Sequence, residues 1–233
     1  MPQKMVVDKK GKEFNMSEET TRNAGTDLIR VHKAISRAIG VSKQHSQAPG
    51  PEPAHRDGFQ SYARALRIFL NAHHTGEDEV AFPFIEKKAP DLTFEQLRDD
   101  HLRIVEVLKE IEAWVSLGEA GWESEALEEY SHCIQRLEKL WFEHIDREEE
   151  VIGPEALERL LTADENIQLG QQIGAHAAQL ATPNELVFPF FFYNLSPSDR
   201  AIMAQGLLPV IMEQLVPYAW KPVWAPMQPY LLA

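Results

Sequence analysis

Apolar residues recur at alternating steps of three and four through most of residues 20–180, and strand-like alternation is nearly absent. A chain written with that period has to fold as helices that each hide one stripe against the others, so the expected class is all-α. The Pro/Gly/Ser-rich stretch 41–53 separates a first helix over 20–39 from a second over 56–88. Ala89-Pro90-Asp91-Leu92-Thr93 is the next stop, and Thr93 with Gln96 forms the capping-box pattern that opens a third helix. Gly118 and Gly121 end that helix, and a fourth runs over 124–151 until Gly153-Pro154 stops it. Four long helices with short or medium connections predict an up-down-up-down four-helix bundle over 20–155.

The inward stripes carry the chemistry. Helix one points Leu28, His32, Ile35 and Ile39 inward, and helix two Leu66, Phe69 or Leu70, His73, Glu77, Val80 and Phe84. Helix three contributes Phe94, Leu97, His101, Ile104, Leu108 and Ile111. Helix four contributes Leu127, Tyr130, Ile134, Leu137, Trp141, His144, Glu148 and Val151. Apart from the Tyr130 hydroxyl, polar groups enter these stripes at six positions: His32, His73, Glu77, His101, His144 and Glu148.

A carboxylate in an apolar interior is strongly destabilising unless it is paired or bound to a cation. Residues i and i+4 stand one above the other on a helix, so His73 with Glu77, and His144 with Glu148, each aim an imidazole and a carboxylate at one spot. With His32 and His101, the set offers four nitrogens and two carboxylates. That is too many for one tetrahedral zinc, and it suits two six-coordinate transition ions sharing carboxylates with open positions left for small ligands. The donor types alone fit iron, manganese or zinc.

The two pairs also lie in an internal repeat. The run from His73 to Pro83 (HHTGEDEVAFP) aligns without a gap to the run from His144 to Pro154 (HIDREEEVIGP). The site is therefore expected near the C-terminal ends of helices two and four, and antiparallel packing then calls on the early part of helix three, where His101 stands.

With His32, the HHTGEDEVAFP run, DDHLRIVEVL at 99–108 and the HIDREEEVIGP run, the chain resembles the hemerythrin-like family, the HHE cation-binding domain, over about residues 20–155. The resemblance implies a four-helix bundle around a non-haem di-iron centre, oxo- or hydroxo-bridged, with Glu77 and Glu148 as bridging carboxylates. It implies dioxygen, peroxide or nitric oxide as ligands, and redox chemistry or sensing. The chain departs from the oxygen-carrying members at two places. Where they have a second histidine one turn after the third-helix histidine, it has Val105, and where they have an aromatic residue after the second-helix histidine, it has His74. That leaves one iron a nitrogen short and argues against reversible oxygen carriage. Water, Asp100 or a repositioned His74 could fill the place, but the spacing argues against His74 as a ligand, since i+1 points about 100° away from its neighbour on a helix.

The remaining polar residues read as ordinary. His45 and His55 fall in or beside the first loop, and His132 and His176 lie off the stripes. Glu149 and Glu150 are expected on a solvated face. Core packing accounts for Tyr130 and for Trp141, which also stands close enough to shield the centre. The lone cysteine, Cys133, allows no intramolecular disulfide and no cysteine zinc site, and suits a reducing, cytoplasmic setting.

A formal charge of −13, with no basic cluster beyond Lys9, Lys10 and Lys12, argues against nucleic acid as a partner. No apolar stretch reaches membrane-spanning length, and residues 1–19 read as a flexible polar lead-in. Residues 156–233 hold eight of the 15 prolines and the apolar runs LVFPFFFY and GLLPVIMEQLVPYAW. They are expected to form two to four short helices packed on the bundle or on a partner. An alternative role follows from them: a metal-dependent sensory or scaffolding module in which 186–193 docks a partner or a second copy in a homodimer.

Overall fold

The computed structural model describes residues 5–7, 13–15, 22–47, 50–116 and 124–232. Helices dominate. The exception lies in the lead-in, where strands β1 (Met5–Val7) and β2 (Glu13–Asn15) pair antiparallel with Val6 opposite Phe14. The rest of 1–19 lies outside the described residues.

Helix α1 (Ala24–Ser46) starts at an Asn23 cap whose side chain accepts from the Thr26 backbone at 2.9 Å. It runs seven residues past the expected end at 39, because Val41 to Ser46 contain no helix breaker and place Ser42 and Ser46 in the core. His45 is thus in the last helical turn, edge-on to Tyr230, while His55 is exposed at the start of the next helix.

The second helix is one helical run in three parts: α2 (Arg56–Gly76), a π turn (Glu77–Ala81) and α3 (Phe82–Glu86). The π turn inserts one residue into the helical count. As a result, the inward positions after Glu77 become Ala81, Phe82 and Ile85, whereas the expected Val80 and Phe84 are only half-buried. Pro83 does not end the helix. It sits in the first turn of α3, where a missing N–H costs little.

Helix α4 (Glu95–Val115) has Phe94 at its cap, and no side chain closes a capping box. Burial decides this: the Phe94 ring stacks on Phe82 at 4.3 Å and leaves Thr93 exposed. The expected stop at Gly118 and Gly121 lies outside the described residues. Helix α5 (Ser124–Ile152) ends at Gly153, where a side chain would run into the Glu149 carbonyl, and Pro154 opens the next helix.

Cross-links fix how the four long helices pack. Lys43 reaches Glu138 while His32 reaches Glu149, so α1 and α5 run antiparallel. Glu110 meets Arg136 while Asp100 meets Arg147, so α4 and α5 do too. Gln60 bonds the Val115 carbonyl while His74 meets His101, and His45 meets Phe59 while His32 meets His73, which orients α2 against α4 and α1. Ile35, Ile39, Leu66, Leu70, Ile104, Ile134, Leu137 and Trp141 fill the interior almost completely shielded from water. Each such side chain contributes roughly 1.5–3 kcal/mol relative to exposure.

The C-terminal region is more finely divided than two to four helices. It contains α6 (Pro154–Leu160), α7 (Ala163–Leu180), α8 (Asn184–Asn194), α9 (Pro197–Ala204), a π segment (Ile211–Ala219), α10 (Lys221–Trp224) and a 3-10 turn (Ala225–Tyr230). These pieces lie over the α1/α2 side of the bundle. Leu186, Val187, Phe190, Phe191 and Phe192 are buried there, so the apolar run 186–193 is covered within the chain. Tyr62 donates to Asn194 Oδ1 at 2.6 Å, and Arg37 donates to Asn194 and to the Tyr230 carbonyl, tying the layer down.

Candidate metal centre

All six polar residues of the inward stripes converge at one level of the bundle, each nearly or completely buried. A seventh joins them. Two overlapping groups form, one of His74, Glu77, His101 and His144, the other of His32, His73, Glu77 and Glu148, with one ligand atom from each residue lying within 4.8 Å of the others in its group. Glu77 belongs to both groups. Glu148 is near both as well, its Oε2 standing 3.1 Å from His32 Nε2 and 3.3 Å from His144 Nε2.

His74 is the residue that the expected stripe passed over. Helix α2 lies between α1 and α4, so neighbouring residues at its inner edge face one neighbour helix each: His73 toward His32, and His74 toward His101, on which its ring stacks at 4.1 Å. The signal was present in the sequence. Leu70, His74 and Glu77 are spaced by four and three, as an inward stripe is, and Leu70 is fully buried. The nitrogen missing at Val105 of α4 is thus offered from α2. Asp100 is not in either group; it lies behind His144, 3.9 Å from Nδ1, and is held by Arg147 at 2.6 Å.

The donor atoms have a chemical need. The Nε2 atoms of His32 and His73, both ring nitrogens of His74, His101 and His144, and both oxygens of Glu77 and Glu148 are buried and make no well-aligned hydrogen bond, even where an oppositely charged atom lies 3.1–3.6 Å away. Leaving one such group unsatisfied costs on the order of 1–3 kcal/mol, more when it is charged, so a cluster of them calls for a common partner. Nitrogen and carboxylate donors facing a shared centre fit a pair of transition-metal ions.

Crowding shifts the titration of five of these groups, in both directions. Burial, reinforced by the Glu148 carboxylate, pushes the Glu77 carboxyl well above its ordinary range. Burial also acts upward on Glu148, but the His144 and His32 imidazoles outweigh it and hold that carboxyl well below. Burial, with the neighbouring imidazoles, drives His73 and His74 well down, so both present neutral rings with lone pairs for a metal. For His32, burial is outweighed by Glu148 and Glu149, and its pKa is raised.

Carboxylates back the rings from outside. Glu149, half-exposed rather than purely solvated, bonds His32 Nδ1 at 2.7 Å, and Asp78 Oδ1 stands 3.1 Å from His101 Nδ1. The Glu149 hydrogen bond fixes the orientation and tautomer of the His32 ring. Trp141 closes the site from below, with ring centres 5.3 Å from His32 and 6.1 Å from His144. Phe82 lies parallel to His101 at 5.6 Å on another side. His132 is exposed, His176 pairs with Glu79 at 2.9 Å, and Cys133 is buried beside Glu110 and Arg136, where burial raises its thiol pKa.

Comparison with known proteins gives one family. The hemerythrin HHE cation-binding domain matches residues 24–156, which contain every residue of both donor groups and all four long helices. No curated protein and no solved structure gives a significant match. With more than half of its length matched, and with buried imidazoles and carboxylates gathered in that span, the chain belongs to the hemerythrin HHE cation-binding family.

Proposed function

We propose that the protein is a non-haem di-iron protein whose centre meets dioxygen, peroxide or nitric oxide, for redox chemistry or sensing rather than bulk oxygen transport. The observation that carries this reading is the overlap of two buried donor groups at Glu77, with Glu148 close to both. Iron bound there supplies a redox couple and open positions for a small ligand.

The chain's own residues do the rest. Glu77, which belongs to both donor groups, and Glu148 would offer carboxylate oxygens to bound metal, and His73 and His74 would offer one imidazole to each group. The unequal composition, three histidines and one glutamate in one group and two of each in the other, makes the two positions chemically distinct. Trp141 and Phe82 keep bulk water from the rings. The scaffolding alternative relied on 186–193 as a docking surface, and that run is packed on its own bundle.

Anaerobic loading of the metal-free protein with ferrous iron, followed by metal analysis, tests the proposal. Two ions per chain are expected, and one or none overturns the di-iron reading. His73→Ala combined with Glu77→Ala is expected to abolish uptake, while His45→Ala leaves it intact.

A further inference from the structure

Between the bundle and the C-terminal layer lies a cavity of about 690 Å3, within the roughly 300–1,000 Å3 range of small-molecule sites. Its inner wall includes Leu28, Val31 and Ala72 of α1 and α2, and its outer wall Ile173, Ala177 and Phe191 of α7 and α8. The outer wall comes wholly from residues beyond the family match.

The sequence shows why the two layers do not close. At Gly170, α7 touches α1 so tightly that an added Cβ would press on the Ala24 backbone, but one turn later, at Gly174, it would meet nothing within 4 Å. Gly174 is exposed at the rim of the cavity, Ile173 and Ala177 beside it still reach Gly76 of α2, and the small side chains along this stretch of α7 leave the space next to them unfilled. An apolar space of this size loses the contacts that packing would give, unless a ligand supplies them.

The polar groups on the wall define what fits. Arg22 and Asp27 neutralise each other at 2.6 Å, and Arg22 also donates to the Met203 carbonyl, so the cation there is already engaged. Asn23 is used in capping α1, and Gln171 and Gln205 are exposed. At the bundle end the wall is formed by His73 and Glu77, whose buried Nε2 and carboxylate oxygens lack hydrogen-bond partners.

We propose that this cavity binds an uncharged, largely apolar organic molecule, one end of which reaches the His73–Glu77 edge of the metal centre. The binding itself stands on the cavity. Its contact with bound metal rests on the di-iron reading above. The C-terminal layer then serves as a selectivity wall that admits an organic ligand to one side of the centre.

Fluorescence titration of the full-length, metal-free chain with the neutral probe N-phenyl-1-naphthylamine tests the cavity. Saturable binding of one probe per chain is expected, displaced by 1-decanol at least tenfold more effectively than by decanoate. Gly174→Phe places a ring at the exposed rim of the cavity, where it meets no neighbour, and replaces glycine in a helix with a better helix former, so the variant is expected to fold, keep its metal content and bind the probe at least tenfold more weakly. Ala178→Phe, also on the wall, is the second variant. Non-saturable binding, unchanged affinity in both variants, or equal displacement by decanoate overturns the proposal.

Cobalt(II)-loaded protein tests the reach to the metal. Adding 1-decanol is expected to shift the visible cobalt bands in wild type and not in Gly174→Phe. Probe binding with no band shift overturns the contact, whereas probe binding in a chain that takes up no metal overturns the di-iron reading and leaves the cavity standing.

Discussion

His74 lies flat on His101, ring centres 4.1 Å apart and planes 13° from parallel, so α2 brings a further imidazole to the half of the site that holds His101 and His144. His74→Phe preserves a ring on His101 and removes the nitrogens. Metal analysis after ferrous loading is expected to fall from two ions per chain to one. Adding Val105→His, one turn along from His101, is expected to return the second ion. A His74→Phe protein that still holds two ions would show that His74 only packs.

Metal removal should be legible in stability. The buried oxygens of Glu77 and Glu148 have no hydrogen-bond partner of their own, and an ion that binds only the folded chain stabilises it by mass action. At a free concentration 100 times Kd the gain is about 2.7 kcal/mol. For a chain of this length that corresponds to a Tm rise of roughly 5–10 °C, to be read by calorimetry with and without chelator. Equal Tm values would show that the ion gains nothing from folding.

Asn194 joins the layers: it accepts from Tyr62 at 2.6 Å and from Arg37, and its own amide donates to the Phe190 carbonyl at 2.8 Å. Asn194→Ala leaves the Tyr62 hydroxyl and part of Arg37 buried without that acceptor. The expected cost is about 1–3 kcal/mol, seen as a lower urea midpoint. Amide exchange in 225–230 should accelerate with it, because Arg37 also holds the Tyr230 carbonyl.

Glu165 sets a pH expectation for the cavity's outer helix. The Lys88 ammonium, then the Thr162 backbone and hydroxyl, hold its carboxyl at about 2, below the ordinary 4.5. A depressed folded-state pKa means that the contribution is complete above 4.5 and is lost as pH falls from there toward 2. The pair is exposed, so its effect on total stability is small. A carboxyl NMR titration should show the low midpoint, and Lys88→Ala should return it toward 4.5.

The six stripe residues were legible because period fixes direction on a helix, and because two carboxylates directed into an apolar interior admit few explanations. His74 was harder, since it shares the site by standing beside His73 rather than above it. The shift from Val80 and Phe84 to Ala81 and Ile85 had no side-chain signature; the π turn is a backbone rearrangement of one residue. At Thr93, a good cap on paper, the gain from burying Phe94 prevailed. The C-terminal layer was least legible: prolines cut its helices short, and its positions are set by distant partners such as Tyr62 and Arg37.

Gly58 admits the Pro226 carbonyl so closely that an added Cβ would collide with it, and Phe59, Tyr62 and Tyr230 pack ring against ring nearby. The family match ends at 156, yet the hydrophobic faces of α1 and α2 are finished by residues some seventy positions later. The family match and the packed hydrophobic core therefore have different borders. A piece cut at the end of the match would carry every residue of the candidate centre and still lack the surface that keeps its own helices apart from a neighbour's.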